Sequence, residues 1–153
     1  MNMTAIDLFC GAGGLSAGLE MAGFRVLAGV DLFAAAGETF EATHSNATFI
    51  CKPIQDVTID ELMQVTGLKR GELTVLAGGP PCQAYSVYNH QRGMHDARAT
   101  LFREYLRIVE GMQPEWIVME NVMGIYSIAG GAAVRAGARR PPVPRSRSPP
   151  QRG

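Results

Sequence analysis

Short apolar runs alternate along the chain with segments in which apolar residues recur every three or four positions. Because the runs are apolar on both faces and rich in β-formers, they are typical of strands buried in a parallel sheet. The predicted strands are AIDLF (5–9), RVLAGV (25–30), TFI (48–50), LTVLA (73–77) and WIVM (116–119).

Helical spacing fills the gaps between these runs. The helical sets are Leu15, Leu19 and Ala22; Phe33, Ala36 and Phe40; Leu62 and Val65; and Leu101, Tyr105, Ile108 and Met112. Strands that alternate with helices predict an α/β fold, in which an open, Rossmann-like parallel sheet is covered by helices on both faces.

Composition limits the chain to one domain. It has 153 residues, of which 46% are hydrophobic and 18% charged, so it is a globular sequence too short for two independent cores. No apolar run approaches the roughly 20 residues of a membrane-spanning helix, and the start lacks signal-peptide features, which predicts a cytoplasmic location. Three cysteines without a CxxC pair argue against a disulfide framework or a metal site.

Charge divides the chain at Gly131. Residues 1–131 carry eight basic and 14 acidic residues, a net −6, whereas residues 132–153 carry +6. We predict a partial catalytic domain over 1–131 and a disordered Arg/Pro-rich tail over 132–153. The tail could bind nucleic acid phosphates, but we favour a truncated or out-of-frame end, because the composition changes abruptly.

A glycine-rich turn, CGAGG (10–14), follows the first strand and leads directly into a helix. Asp31 ends the second strand, 20 positions after Gly11. A carboxylate at this position can accept hydrogen bonds from both hydroxyls of a ribose. This pairing predicts an adenosine-containing cofactor. Ser16 stands where the dinucleotide fingerprint has its third glycine, which disfavours a nicotinamide cofactor. The alternative is a turn that merely permits tight strand-to-helix packing.

Cys82 follows the fourth strand in the sequence GGPPCQ (78–83). Pro80 and Pro81 fix two φ angles and remove two amide donors, so a stiff backbone displays the thiol as a candidate nucleophile. By contrast, Cys10 and Cys51 are expected to be small buried hydrophobes.

Glu120 and Asn121 end the fifth strand, at the same edge of the sheet. There we expect the Glu120 carboxyl to be partly desolvated and to act as a general acid beside Cys82. The alternative is that Glu120 caps the following turn.

Together these segments closely resemble the cytosine-5 DNA methyltransferase family, from Ile6 to about Ile125. The matching motifs, in family order, are DLFCGAGG (7–14), Asp31, PPCQ (80–83), DARATL (96–101) and ENV (120–122). The resemblance implies S-adenosyl-L-methionine as cofactor and double-stranded DNA with a flipped cytosine as substrate. The alternative substrate is RNA, since some members of the family modify transfer RNA. It also implies that Cys82 adds to ring carbon 6 while Glu120 protonates ring nitrogen 3, so that carbon 5 takes the methyl group.

The resemblance also assigns binding residues. Those implied for the cofactor are Phe9, Gly11, Ala12, Gly13, Gly14, Asp31, Pro81 and Leu101; those implied for the substrate are Gln83, Ser86, Arg98 and Asn121. Residues 84–97 would close over DNA, with His90, Arg92 and His95 suited to phosphates. One departure is Pro53, where the family usually offers an aspartate to the adenine. Asp56 or a backbone amide would have to replace it.

Nothing after Ile125 resembles the later family elements, namely the QxRxR strand, the target recognition domain and the final helix. The sheet is therefore expected to stop at its fifth strand and leave WIVM as an exposed apolar edge, where a second chain could supply the missing half. We predict the amino-terminal half of a DNA cytosine-5 methyltransferase of a restriction-modification system. The alternative is an inactive remnant that binds a cofactor or a partner.

Overall fold

The computed structural model describes residues 3–81 and 97–120. The strands are β1 (Thr4–Leu8), β2 (Arg25–Asp31), β3 (Thr48–Cys51), β4 (Val75–Gly78) and β5 (Trp116–Met119); the helices are α1 (Gly14–Met21), α2 (Ala34–Thr43), α3 (Ile59–Thr66) and α4 (Ala97–Met112), with a 3₁₀ turn at Ile54–Asp56. All neighbouring strands pair in parallel, in the order β3-β2-β1-β4-β5. The predicted α/β architecture is confirmed.

Helices cover both faces of the sheet. Leu19 of α1 and Phe40 of α2 pack on one face with Ala5, whereas Leu62 of α3 and Ile108 of α4 pack on the other. Alternate residues of β1 therefore point into two different cores, and all five residues of this strand are buried. This is why the strand sequences are apolar on both faces.

Four of the five strands have boundaries that differ from the prediction, each by one or two residues. Phe9 lies outside β1 because its φ of 60° is left-handed rather than extended. At β4 the regular strand begins only at Val75. Before it, Thr4 and Thr74 each donate a backbone N–H to the other's hydroxyl, at 3.2 and 3.3 Å. These side-chain bonds stand in for ladder bonds at the start of the strand pair.

Arg107 joins α4 to the segment between β3 and α3. Its Nη2 donates to the carbonyl oxygens of Ile54 and Val57, both at 2.9 Å, and its Nε donates to Glu104 on the same helix at 2.6 Å. The planar guanidinium thus binds one carbonyl inside the 3₁₀ turn and the carbonyl of the residue that follows it. In consequence, residues 54–57 are held at a fixed distance from α4.

The outer strand of the sheet is apolar and open to solvent. In β5, Trp116 is 68% exposed, Ile117 38% and Val118 40%. Within the described ranges this strand pairs with β4 alone. The predicted exposed edge is thus present in this part of the chain.

Among the described residues, 3–81 and 97–120, no helix is both long and apolar enough to cross a membrane.

Two helical glycines provide a test of the packing. A Cβ on Gly37 in α2 would overlap the Phe49 ring of β3, whereas one on Gly18 in α1 would meet no atom within 4 Å. Gly18→Ala should therefore raise the free energy of unfolding by about 0.5–1 kcal/mol through helix propensity. Gly37→Ala should lower it by about 1–3 kcal/mol, because the ring must shift. Urea unfolding of both variants checks this; equal effects would contradict the packing of α2 on β3.

Candidate active site

A pocket of about 490 Å³ opens at the carboxyl ends of the strands, where β1 and β4 lie side by side although distant in sequence. Its size is typical of small-molecule sites, and this edge of an α/β sheet is where such sites form. The lining residues are Phe9, Val30, Asp31, Leu32, Phe33, Lys52, Pro53, Ile54, Gln55, Gly79, Pro81 and Leu101.

The turn after β1 has an unusual backbone. Phe9, Gly11 and Gly13 have φ values of 60°, 53° and 93°, all in the left-handed region. Glycine adopts this conformation at little cost, but Phe9 does not, and such strain concentrates at ligand sites. The reversal at Phe9 ends the strand and starts the turn at the mouth of the pocket. Gly13 then begins α1 as an N-cap that has no side chain.

Asp31 joins the turn to the pocket. Its Oδ2 accepts the Gly11 N–H at 2.8 Å, and its Oδ1 accepts the Phe33 N–H at 3.0 Å. Each carboxylate oxygen has a second lone pair, so Asp31 can still accept two hydrogen bonds from a ligand. The acidic residue that the sequence singled out therefore also shapes the site, which the sequence did not predict.

A buried carboxyl lies behind the turn. Asp7 of β1 is 1% exposed, and its Oδ2 accepts the Ser16 hydroxyl of α1 at 2.7 Å. Burial raises the pKa of Asp7, although the bonds from Ser16 oppose the shift. Its Oδ1 has no hydrogen-bond partner among the described residues. Asp7 thus binds the first turn of α1 to the sheet, although burial disfavours its charged carboxylate.

The opposite wall consists of residues 52–55. Pro53 lines the pocket and Asp56 does not, whereas Gln55, which the sequence analysis missed, does. Gln55 has an amide able to donate and accept, and it stands two residues after Pro53, the position at which the resemblance expects an aspartate. Beside it, Lys52 pairs with Glu61 of α3 at 2.5 Å, which anchors this wall.

Two exposed apolar residues were also missed. Leu32 and Phe33, 58% and 69% exposed, follow Asp31 and line the pocket. Helical spacing grouped Phe33 with Ala36 and Phe40, and Phe33 lies one residue before α2, as its N-cap. Its position directly after the acidic strand end was the available signal.

Glu120 stands at the end of β5, next to β4. Its N–H donates to the Gly78 carbonyl at 3.0 Å, and its Oε2 lies 3.0 Å from where a Cβ on Gly79 would be. The expectation that Glu120 is partly buried is wrong, since the residue is exposed at the open edge strand. The carboxylate is thereby placed beside Gly79, a residue of the pocket wall.

The other predicted residues divide into three groups. Phe9, Asp31, Pro81 and Leu101 line the pocket; Gly11, Ala12, Gly13 and Gly14 form the turn beside it without lining it. Cys82, Gln83, Ser86, Asn121, the loop residues to 96 and the side chain of Arg98 lie outside the described residues.

The two described cysteines differ in exposure. Cys10 is 8% exposed as expected, and burial, with Asp7 and Asp31 adding to it, raises the pKa of its thiol well above the ordinary range. A neutral thiol is a poor nucleophile, so this environment does not activate Cys10. The expectation for Cys51 is wrong, because Cys51 is exposed at the end of β3.

Strand order, glycine turn and pocket define a Rossmann-like fold of the S-adenosylmethionine-dependent methyltransferase type. A structure of a DNA modification methyltransferase encoded within an E. coli prophage superposes with a TM-score of 0.74 at 26% identity, over 89% of this chain and 36% of that one. The S. pombe Dnmt2 methyltransferase, at 19% identity and a TM-score of 0.66, shares the fold over 89% of this chain and 41% of its own.

The family follows from the sequence match. The model of the C-5 cytosine-specific DNA methylases matches residues 3–135, and the chain belongs to this family. Type II methyltransferase M.AgeI of Thalassovita gelatinovora is 39% identical over 86% of this chain, and M.XorII of Xanthomonas oryzae 38% over 78%. The chain spans only 30% and 28% of those two relatives.

The buried Asp7 carboxyl predicts a pH dependence of stability. The pKa of Asp7 is higher in the folded state than its ordinary value of 3.8, so the folded state binds this proton more tightly than the unfolded state does. The free energy of unfolding should therefore fall as the pH rises above 3.8. Asp7→Asn should remove that dependence. Urea unfolding at several pH values checks this, with exposed Glu41→Gln as control. A wild type and an Asp7→Asn variant with parallel pH profiles would contradict it.

Proposed function

We propose that this chain is the amino-terminal catalytic half of a DNA (cytosine-5-)-methyltransferase of a type II restriction-modification system. The reaction moves a methyl group from S-adenosylmethionine to carbon 5 of a cytosine in DNA. The observation that carries the proposal is one juxtaposition: the pocket containing Asp31 lies at the sheet edge from which Pro81 leads to Cys82 and at which Glu120 ends β5.

The pocket fits S-adenosylmethionine by its donor set. The Asp31 carboxylate can accept the ribose hydroxyls, while Leu32 and Phe33 offer apolar surface to an adenine ring. Gln55 can pair with the edge of that ring. Phe9, Pro81 and Leu101 would enclose the remainder, and the glycine turn allows close approach of backbone to ligand. When bound, the cofactor supplies an electrophilic methyl group on a sulfonium.

Chemistry on the base requires a nucleophile that can later leave. The Cys82 thiolate would form a bond to ring carbon 6 of the flipped cytosine while Glu120 delivers a proton to nitrogen 3, so the electron pair of the ring double bond becomes available at carbon 5. Carbon 5 would then take the electrophilic methyl group that the bound cofactor supplies. Transfer of the carbon 5 proton to water and return of the nitrogen 3 proton to Glu120 would restore the ring, as the electron pair of the carbon 5–hydrogen bond expels the Cys82 thiolate.

The exposure of Glu120 is compatible with this role. A base flipped out of a duplex must reach the carboxyl from outside the protein, and Glu120 is open at the edge strand next to Gly79. Closure of DNA and protein over the site would then desolvate the carboxyl during the reaction rather than before it. In the free chain Glu120 needs no buried environment.

The remaining parts of a complete enzyme would dock on β5. Relatives are far longer than this chain, and Trp116, Ile117 and Val118 present an apolar strand whose outer side is unpaired in the described ranges. We propose that further strands, in the same or a second polypeptide, continue the sheet there. The runner-up function is a remnant that binds cofactor or partner without catalysis.

Cofactor binding is the first test. The chain should bind S-adenosylhomocysteine weakly in calorimetry, and Asp31→Ala should weaken binding by about tenfold or more, since hydrogen bonds to a charged group are each worth about 1.5–3 kcal/mol. Glu41→Ala, which removes an exposed carboxylate on α2, is the matched control. Equal affinities for wild type and Asp31→Ala would contradict the assignment of the pocket.

Covalent trapping is the second test. The chain alone should methylate no DNA, because much of the family's length is absent. Mixed with a polypeptide carrying the part of the Thalassovita relative that this chain does not match, it should form an adduct with a duplex containing 5-fluorocytosine. Mass spectrometry should locate the adduct at Cys82, and Cys82→Ser should abolish it. Cofactor binding without any adduct favours the runner-up, and methylation by the chain alone contradicts our expectation.

A further inference from the structure

His44 lies behind the glycine turn, buried to 3% exposure at the end of α2. Its Nε2 is 3.1 Å from the Gly13 carbonyl oxygen, and its Nδ1 is 2.8 Å from Oε2 of Glu20. One imidazole thus connects the N-cap of α1, the last turn of α1 and the end of α2. No motif considered in the sequence includes this histidine.

Both partners of the ring are acceptors. A carbonyl and a carboxylate have no proton to give, and a neutral imidazole donates from only one of its two nitrogens. The neutral tautomers would therefore direct a lone pair either at the Gly13 carbonyl or at the Glu20 carboxylate. Only the doubly protonated imidazolium satisfies both contacts.

The charged groups described around the ring are acidic. Glu20 faces the ring from α1, and Asp7 attracts its charge from β1. On its own helix the neighbour is the uncharged Phe40 ring, with centroids 4.7 Å apart. The described acidic groups near His44 are thus of opposite sign to the imidazolium.

The contact also fixes the backbone of the turn. The Gly13 carbonyl accepts both the Ala17 N–H, the first hydrogen bond of α1, and His44. A Cβ on Gly13 would overlap the His44 ring, so ring and turn are in direct contact. Gly13 has no capping side chain, and His44 adds a side-chain contact at this helix start beside the bond between Asp7 and Ser16.

We propose that His44 is a positioning residue which, as an imidazolium shared between Gly13 and Glu20, holds the glycine turn in the conformation that binds the cofactor. The inference rests on the proposed function, since it needs the pocket beside the turn to be the cofactor site. Loss of one ring proton releases either Gly13 or Glu20. Cofactor affinity therefore falls when His44 deprotonates.

Glu20→Gln separates this role from plain packing. A glutamine amide can donate to Nδ1, so a neutral ring protonated at Nε2 satisfies Gly13 and residue 20 together. The second proton is then no longer needed. Glu41→Gln, on exposed α2 surface, removes the same charge without touching the ring and is the matched control.

The first readout is ¹⁵N–¹H NMR of the histidine rings in the full 153-residue chain, with His44→Gln assigning the signals among the three histidines. Wild type and Glu41→Gln should show both nitrogens of His44 protonated near neutral pH. Glu20→Gln should show a neutral ring with its proton on Nε2. A neutral His44 in the wild type overturns the proposal.

The second readout is calorimetry with S-adenosylhomocysteine from about pH 6 to about pH 9. Wild-type affinity should fall by about fivefold or more over the range in which NMR shows His44 deprotonating, a size usual for coupled sites. Glu20→Gln should bind with little change over that range, and Glu41→Gln should follow the wild type. Matching profiles for wild type and Glu20→Gln overturn the proposal. If no variant binds at any pH, the proposed function itself fails, while the NMR still decides the state of His44.

Discussion

The left-handed backbone between Phe9 and Gly13 determines where everything else in the site can lie. Three positive φ values within five residues turn the chain from β1 into α1 without covering the end of the sheet. That conformation has to be held against its own strain, and three side chains from different elements contribute. Asp31 binds Gly11, Asp7 binds the first turn of α1 through Ser16, and His44 binds Gly13.

These contacts connect the core to the chemistry. The polar groups behind the turn are buried, which costs solvation free energy, and the apolar layers on both faces of β1 keep them in place. On the far side, Arg107 secures the segment that forms the opposite wall. Separate hydrogen-bond sets thus fix the two walls of the pocket, and a pre-organised site of this kind favours a defined orientation of the ligand.

The sequence was sufficient for the architecture because burial on both faces produces continuous apolar runs, and the five strands and their helices were found from these runs. Asp31 was singled out by its position at a strand end and Phe9 by the family resemblance, and both line the pocket. The sequence could not find His44 or Gln55, because their importance arises from contacts between residues far apart in the chain. Glu120 was misjudged on burial, since the end of an edge strand is open to solvent in a way that the apolar run before it does not show.

Trp116 gives the open strand an optical property. It is the single tryptophan of the chain, and 68% of it faces solvent on β5. Indole emission depends on the polarity around the ring, so the native fluorescence of this protein reports on the outer edge of the sheet rather than on its cores. Any strand that added itself to β5 would transfer that one fluorophore from water into an apolar layer, and assembly at this edge is therefore visible without a label.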